Sequence, residues 1–188
     1  MNTVSDRNFG LLIAYLVPGF TALLGVSYFS PTVASWLHGA NADGPTIGGF
    51  LYVTIASVAA GMICSAVRFH VIDRIHHVTG IRHPSWDFTK LGERIAAYDR
   101  LIEIHYSYYK FHSNGLVALL FFYMARQIAV RHGAMGLEDI GTVFLGVLLF
   151  VTSRDNLAKY FSRVAKLLGT DDDAAATTDE ASQQLATE

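Results

Sequence analysis

The chain has eight histidines, and six of them, His70, His76, His77, His83, His105 and His112, fall within residues 70–112. Asp73 lies three residues after His70 and four before His77, so on a helix all three share a face. Imidazole and carboxylate both ligate divalent metals, which makes His70, Asp73 and His77 the candidate metal ligands. The set lacks the H-E-x-x-H spacing of zinc hydrolases and the dense histidine boxes of membrane di-iron oxygenases. The competing reading places these histidines on an amphipathic surface, with Asp73 paired to Arg74 or to a histidine. On that reading no metal or other cofactor is expected.

Asp99 and Glu103 lie one helical turn apart with Arg100 between them. Two carboxylates can share acid–base work, but a solvated face with local ion pairs accounts for them equally well. Tyr106, Tyr108, Tyr109 and Phe111 form a cluster just before an apolar run. Tyrosine enriches at membrane–water boundaries, so Tyr106 and Tyr109 read as interface residues. Trp86 and Phe88 sit near Pro84 in what reads as a turn. The single cysteine, Cys64, excludes an intramolecular disulfide and reads as a small packing residue. A phosphate-binding glycine loop, a nucleophile elbow and a zinc-type cysteine set are all missing.

The elements that hold these residues are set by how charge is distributed. Apolar residues make up 52% of the 188 and charged residues 16%. Soluble domains carry about 25% charge. No charged residue lies between Arg7 and Asp43, nor between Asp43 and Arg68. Helices that long without charge have no face suited to water. The sequence therefore predicts an all-α integral membrane bundle with four transmembrane helices, over about 10–29, 46–67, 111–130 and 137–154. The third and fourth apolar runs are short. They reach spanning length only if Arg126 snorkels to the outer boundary and the residues flanking Ile140–Ser153 are included. The first stretch is too long for a signal-peptide core and reads as a retained helix.

Two local features bear on packing. Pro18-Gly19 predicts a kink inside the first helix, where the carbonyl freed by proline must find a partner. Ser57, Gly61 and Ser65 repeat at four-residue spacing, with Ala56, Ala60 and Cys64 alongside. Small residues in such rows let helix backbones approach closely, within the chain or between copies.

Basic residues orient the bundle. The segment 30–45 has no Lys or Arg, whereas 68–110 has seven: Arg68, Arg74, Arg82, Lys90, Arg94, Arg100 and Lys110. Four more follow the last apolar run. The positive-inside rule then puts both termini and residues 68–110 in the cytoplasm, with the cell membrane (a bacterial inner membrane) as the location. Residues 68–110 do not look like a loop. Val67–Thr79 continues the second helix and Gly80 fits a C-cap. Leu91–His112 reads as helix running into the third span, with Ile95, Tyr98, Ile102, His105 and Tyr109 on one face. The second and third membrane helices are thus expected to extend inward as a cytoplasmic helical pair, joined by a tail helix over about 155–168 as a third cytoplasmic helix. Residues 170–188 are acidic and poor in large apolar groups, and predict a disordered tail.

Tyr15-Leu16-Val17-Pro18-Gly19-Phe20, with Tyr106–Asn114 leading into a span, resembles small bacterial four-helix membrane proteins in size and layout. Some proteins of this kind act as membrane sensors or effectors in antiphage defence, and the resemblance implies no functional residues. The net charge of −2 gives no bulk attraction for nucleic acid. The expected function is a non-catalytic, homo-oligomeric membrane sensor, anchor or effector subunit in the lipid bilayer, open to a soluble cytoplasmic partner at residues 68–112. The alternatives are a pore or transport component built around Thr54, Ser57, Ser65 and Thr142, and a membrane enzyme using the His/Asp set.

Overall fold

The computed structural model describes residues 3–37, 47–130 and 136–169. The acidic tail at 170–188 and the link at 131–135 lie outside the described residues. Every regular element among the described residues is helical: α1 (Thr3–Ser27), α2 (Pro31–Leu37), α3 (Ile47–Val78), α4 (Leu91–Leu101), α5 (Ser107–Val130) and α6 (Leu137–Leu168). A 3₁₀ turn, Phe88–Lys90, precedes α4, and a π-helical segment, Ile102–Tyr106, joins α4 to α5.

Two stretches, Gly48–Val78 with 31 residues and Arg94–Val130 with 37, are long and apolar enough to cross a membrane. The apolar part of α1, Ile13–Ser27, is shorter. At about 1.5 Å per residue the first stretch runs about 46 Å, well past a hydrocarbon core of about 30 Å. Both stretches therefore continue beyond any bilayer they cross, at the end that carries Arg68 and Lys110.

α1 lies against both α3 and α5. Its close approach to α3 depends on two glycines. A Cβ on Gly19 would come within 1.7 Å of the Ser57 carbonyl oxygen, and one on Gly61 within 2.0 Å of the Tyr15 carbonyl oxygen. The row through Ser57 and Gly61 is therefore filled by α1 of the same chain, and Ser57 is buried there. α1 stays helical through Pro18. Proline has no N–H to give Ala14, and the Ala14 oxygen instead accepts from Asn114 Nδ2 of α5 at 3.1 Å. Asn114 is fully buried.

α3 ends where the sequence places its cap. Gly80 adopts φ 103°, Ile81 N–H donates to the His76 carbonyl at 3.0 Å, and Gly80 N–H donates to that of His77 at 3.2 Å. This pair of bonds is a Schellman closure, and glycine suits it because it has no Cβ to clash at positive φ. α2 is not anticipated by the sequence reading. Its local signal is Ser30-Pro31: proline preset at the first helical position, with Ser30 Oγ accepting from Val33 N–H at 3.4 Å.

Two expectations need correction. The fourth apolar run and the tail helix form one continuous helix, α6, because no glycine or proline interrupts residues 147–168. The predicted pairing of the inward extensions is also replaced. α4 packs on the second half of α6, not on α3. The reason is an apolar match: Leu91, Tyr98, Leu101 and Ile102 surround Tyr160, Val164 and Leu168, with Trp86 closing the cluster. Ile95, expected on that face, is 56% exposed. The π segment accounts for the rotation further along, since Ser107 N–H reaches back five residues to Ile102. One extra residue in a turn re-aims every side chain after it.

At the other end of the bundle α5 is tied to the start of α6. Arg126 pairs with Glu138, and Gln127 Nε2 donates to Asp139 Oδ1 at 2.8 Å. Asp139 Oδ2 also accepts from Gly136 N–H at 2.7 Å, capping the first turn.

Candidate functional site

α4 leans on α6, and the C-terminal end of α3 meets α6 through His76 and Thr79, which leaves a space between α3, the π segment and α6. A cavity of about 540 Å³ occupies that space. α3 contributes Phe69, Asp73 and His77, the connector His83 and Trp86, the π segment Glu103 and Tyr106, and α6 Tyr160 and Phe161. Its size falls within the range of about 300–1,000 Å³ typical of small-ligand sites.

The walls are mostly aromatic. Trp86 meets Tyr160 edge-on at 5.9 Å between ring centroids, and its ring lies 4.3 Å from that of His83. Tyr106 lies 5.1 Å from Tyr160. The polar groups are placed among these rings. Tyr109 donates its hydroxyl to Asp73. Lys110 Nζ sits 4.6 Å from the Tyr106 ring centroid, within cation–π range. Arg100 holds Glu103 at 2.8 Å. Tyr160 donates to the Tyr98 hydroxyl at 3.3 Å.

Burial, and then the bond to Asp73, push the Tyr109 hydroxyl well above the usual phenol range. Burial and the bond to Tyr98 do the same for Tyr160. Both phenols therefore remain protonated donors. His105 is pushed the other way, first by burial and then by Arg163. Arg163 Nη1 lies 2.6 Å from His105 Nε2, so that nitrogen accepts and the ring is neutral. His76 is likewise held below the ordinary histidine value by burial and by Arg154. It is fully buried, and its Nε2 lies 3.2 Å from Ser153 Oγ on α6.

The sequence candidates divide. Asp73 and His77 both reach the cavity. His70 turns back on its own helix, with Nδ1 2.9 Å from the Ala66 carbonyl oxygen. Among the described residues no three His, Cys, Asp or Glu side chains come together to hold a metal ion. Tyr106 is a wall of the cavity, and Tyr109 is only 1% exposed, packed on α3 against the Arg68 guanidinium and Asp73. Tyr108, by contrast, is exposed like a boundary residue. Asn114 and Tyr160 are not singled out by the sequence, and Arg68 stands there only as one of seven basic residues. Asn114 had a readable signal: it is the one amide in an uncharged run, opposite a helix that contains a proline. Tyr160 sits on a tail helix whose position no local pattern gives.

The arrangement suits binding more than bond-making. It offers an aromatic cavity with two carboxylates, a lysine and two histidines in its lining. The chain matches no protein-family model, no curated protein and no solved structure.

Proposed function

We propose that the chain is a four-span membrane module with a ligand-receiving cluster on the cytoplasmic side. The observation that carries this reading is the aromatic cavity at the junction of α3, the π segment and α6. An occupant there would touch all three helices that leave the apolar part of the bundle. The module acts as a non-catalytic sensor or effector subunit, and the signal enters at residues 68–112.

Four spans, beyond the two helices that are long and apolar enough to cross a membrane, are supported by the outer surface. The first half of α6 exposes Ile140, Val143, Phe144, Val147, Leu148 and Val151, which none of the described residues covers. α1 is packed between two apolar helices and has no charge between Arg7 and its end. The seven basic residues of 68–110 support the cytoplasmic placement in a bacterial inner membrane. An open apolar groove of about 410 Å³ between α1, α3 and α5, lined by Val26, Ile63, Val67 and Leu120, supports self-association. The row through Ser57 and Gly61 does not, because α1 fills it. Of the hydroxyls that a pore would use, Thr54 donates to the Phe50 carbonyl and Thr142 to that of Glu138, each at 2.8 Å, and Ser57 is buried against α1.

Two measurements test the reading. Single cysteines at Ser35 and Ser85, in a Cys64→Ala background, should label from opposite sides of the membrane. Labelling from the same side rules out the topology. Asp73→Asn and Tyr106→Ala should abolish capture of a small molecule or soluble partner by the full-length protein in native membranes, with insertion unchanged. Capture that survives both changes rules out the cavity as the receiving site.

A further inference from the structure

Arg68 is the first charge after the uncharged stretch of α3, and it is only 4% exposed. Its Nε and Nη1 have no hydrogen-bond partner. The guanidinium carbon lies 5.2 Å from the Tyr109 ring centroid, and none of the ion pairs among the described residues includes Arg68. Asp73, the nearest acidic side chain on α3, is taken by Tyr109. A buried cation without an anion is strongly disfavoured, and an aromatic face offsets only part of that cost.

The side of α3 next to Arg68 opens into a groove of about 500 Å³. At one end it is lined by Val58 and Met62, within the apolar stretch; at the other by Ser65, Arg68 and His70, with Tyr15 of α1 alongside. No Asp or Glu lines it. The 12 positions from Val58 to His70 cover about 18 Å of helix. The groove thus runs from hydrocarbon depth to headgroup depth and ends on an unpaired guanidinium.

We infer that this groove binds one anionic phospholipid, with its phosphate at Arg68 and Ser65 and an acyl chain along Val58 and Met62. The assignment rests on the membrane reading above, in which Arg68 lies at the inner boundary. The cytoplasmic leaflet carries the anionic lipids, so the expected ligand is on the same side as the groove's polar end. Guanidinium is the side chain best suited to phosphate, because its fork of N–H donors matches two phosphate oxygens.

The test uses the full-length protein reconstituted into nanodiscs of phosphatidylcholine alone or with phosphatidylglycerol, followed by native mass spectrometry of the lipid retained after detergent extraction. The expected result is about one phosphatidylglycerol per chain and a higher thermal midpoint in the anionic discs. Arg68→Gln should reduce retention at least tenfold. Because that variant could also fold poorly, Ser65→Asp is the companion. It places a carboxylate one turn before Arg68 and supplies the missing anion within the chain. Ser65→Asp should keep the wild-type midpoint in phosphatidylcholine and lose both retention and the response to phosphatidylglycerol. Equal retention by wild type and Ser65→Asp overturns the site. Full stabilisation by inorganic phosphate in detergent, with no lipid retained, overturns the lipid assignment. A chain that enters both kinds of disc but shows no preference overturns this inference alone, whereas one that enters neither overturns the membrane reading as well.

Discussion

Asn114 and Pro18 act as one unit although they are far apart in sequence. Replacing Asn114 with Leu leaves the Ala14 carbonyl without a partner inside the bundle, a loss of about 1–3 kcal/mol. The Pro18→Ala, Asn114→Leu double variant should recover part of that loss, because the introduced alanine restores the N–H that proline lacks. Unfolding in mixed micelles reads the cycle; equal losses in the single and double variants would show that the amide does something else. His76 and His105 give a second residue-scale prediction. Both are held below the ordinary value of 6.5, so the folded chain favours neutral rings. Their contribution is fully present above pH 6.5 and is lost as the pH falls through the lowered folded values. Arg154, Asp73 and His77 surround His76, so its share combines two repulsions with one attraction, on top of burial. The thermal midpoint should therefore drop on acidification below about pH 6.5. The drop should be smaller in His105→Gln, and an unchanged profile in that variant would assign the effect elsewhere. At this scale the sequence shows which residues are unusual and seldom what they touch. His70, Asp73 and His77 do share a helix face, but spacing alone could not show that His70 would bond to its own backbone.

At the scale of elements, the apolar runs and the Gly80 cap were legible because each depends on local pattern. The partner of α4 was not legible. Whether α4 leans on α3 or α6 is decided by Tyr160, Val164 and Leu168, some sixty residues away. The π segment was also invisible, because one extra residue in a turn leaves the helical periodicity nearly intact. The α1–α3 crossing yields a sharp contrast between two glycines. Gly61→Ala would drive a methyl into the Tyr15 backbone, which cannot move aside as a flexible side chain would. The expected loss is about 3 kcal/mol or more. Gly48→Ala meets nothing within 4 Å and should be neutral or stabilising by about 0.5–1 kcal/mol. Thermal midpoints of the two variants in one detergent check this, and similar values would mean that the helices do not cross there.

At the scale of the whole molecule, the sequence separates an apolar bundle from a polar helical end but not the cavity between them. That cavity exists because α4 and α6 lean together while α3 meets α6 around His76 and Thr79, which is a tertiary outcome. Trp86 holds the two together, so Trp86→Ala should cost about 3–5 kcal/mol. The loss should be confined to residues 83–106 and the end of α6. Hydrogen exchange should show those segments deprotected while α1 and the apolar part of α3 stay slow. Uniform deprotection would mean that the two ends fold as one unit.

α6 has a mechanical consequence. It is a single helix of 32 residues, a rod about 48 Å long. Ser153, which meets His76, sits at its middle, and Arg154 beside it grips the end of α3 through the Thr79 carbonyl at 2.7 Å. That crossing is a fulcrum with two nearly equal arms. One arm ends at Leu168 against Trp86, and the other at Glu138 against Arg126. An occupant that pushes the inner arm away from the cavity must swing the outer arm by a similar distance in the opposite sense. The Arg126–Glu138 clasp on the far face is then where the displacement would register.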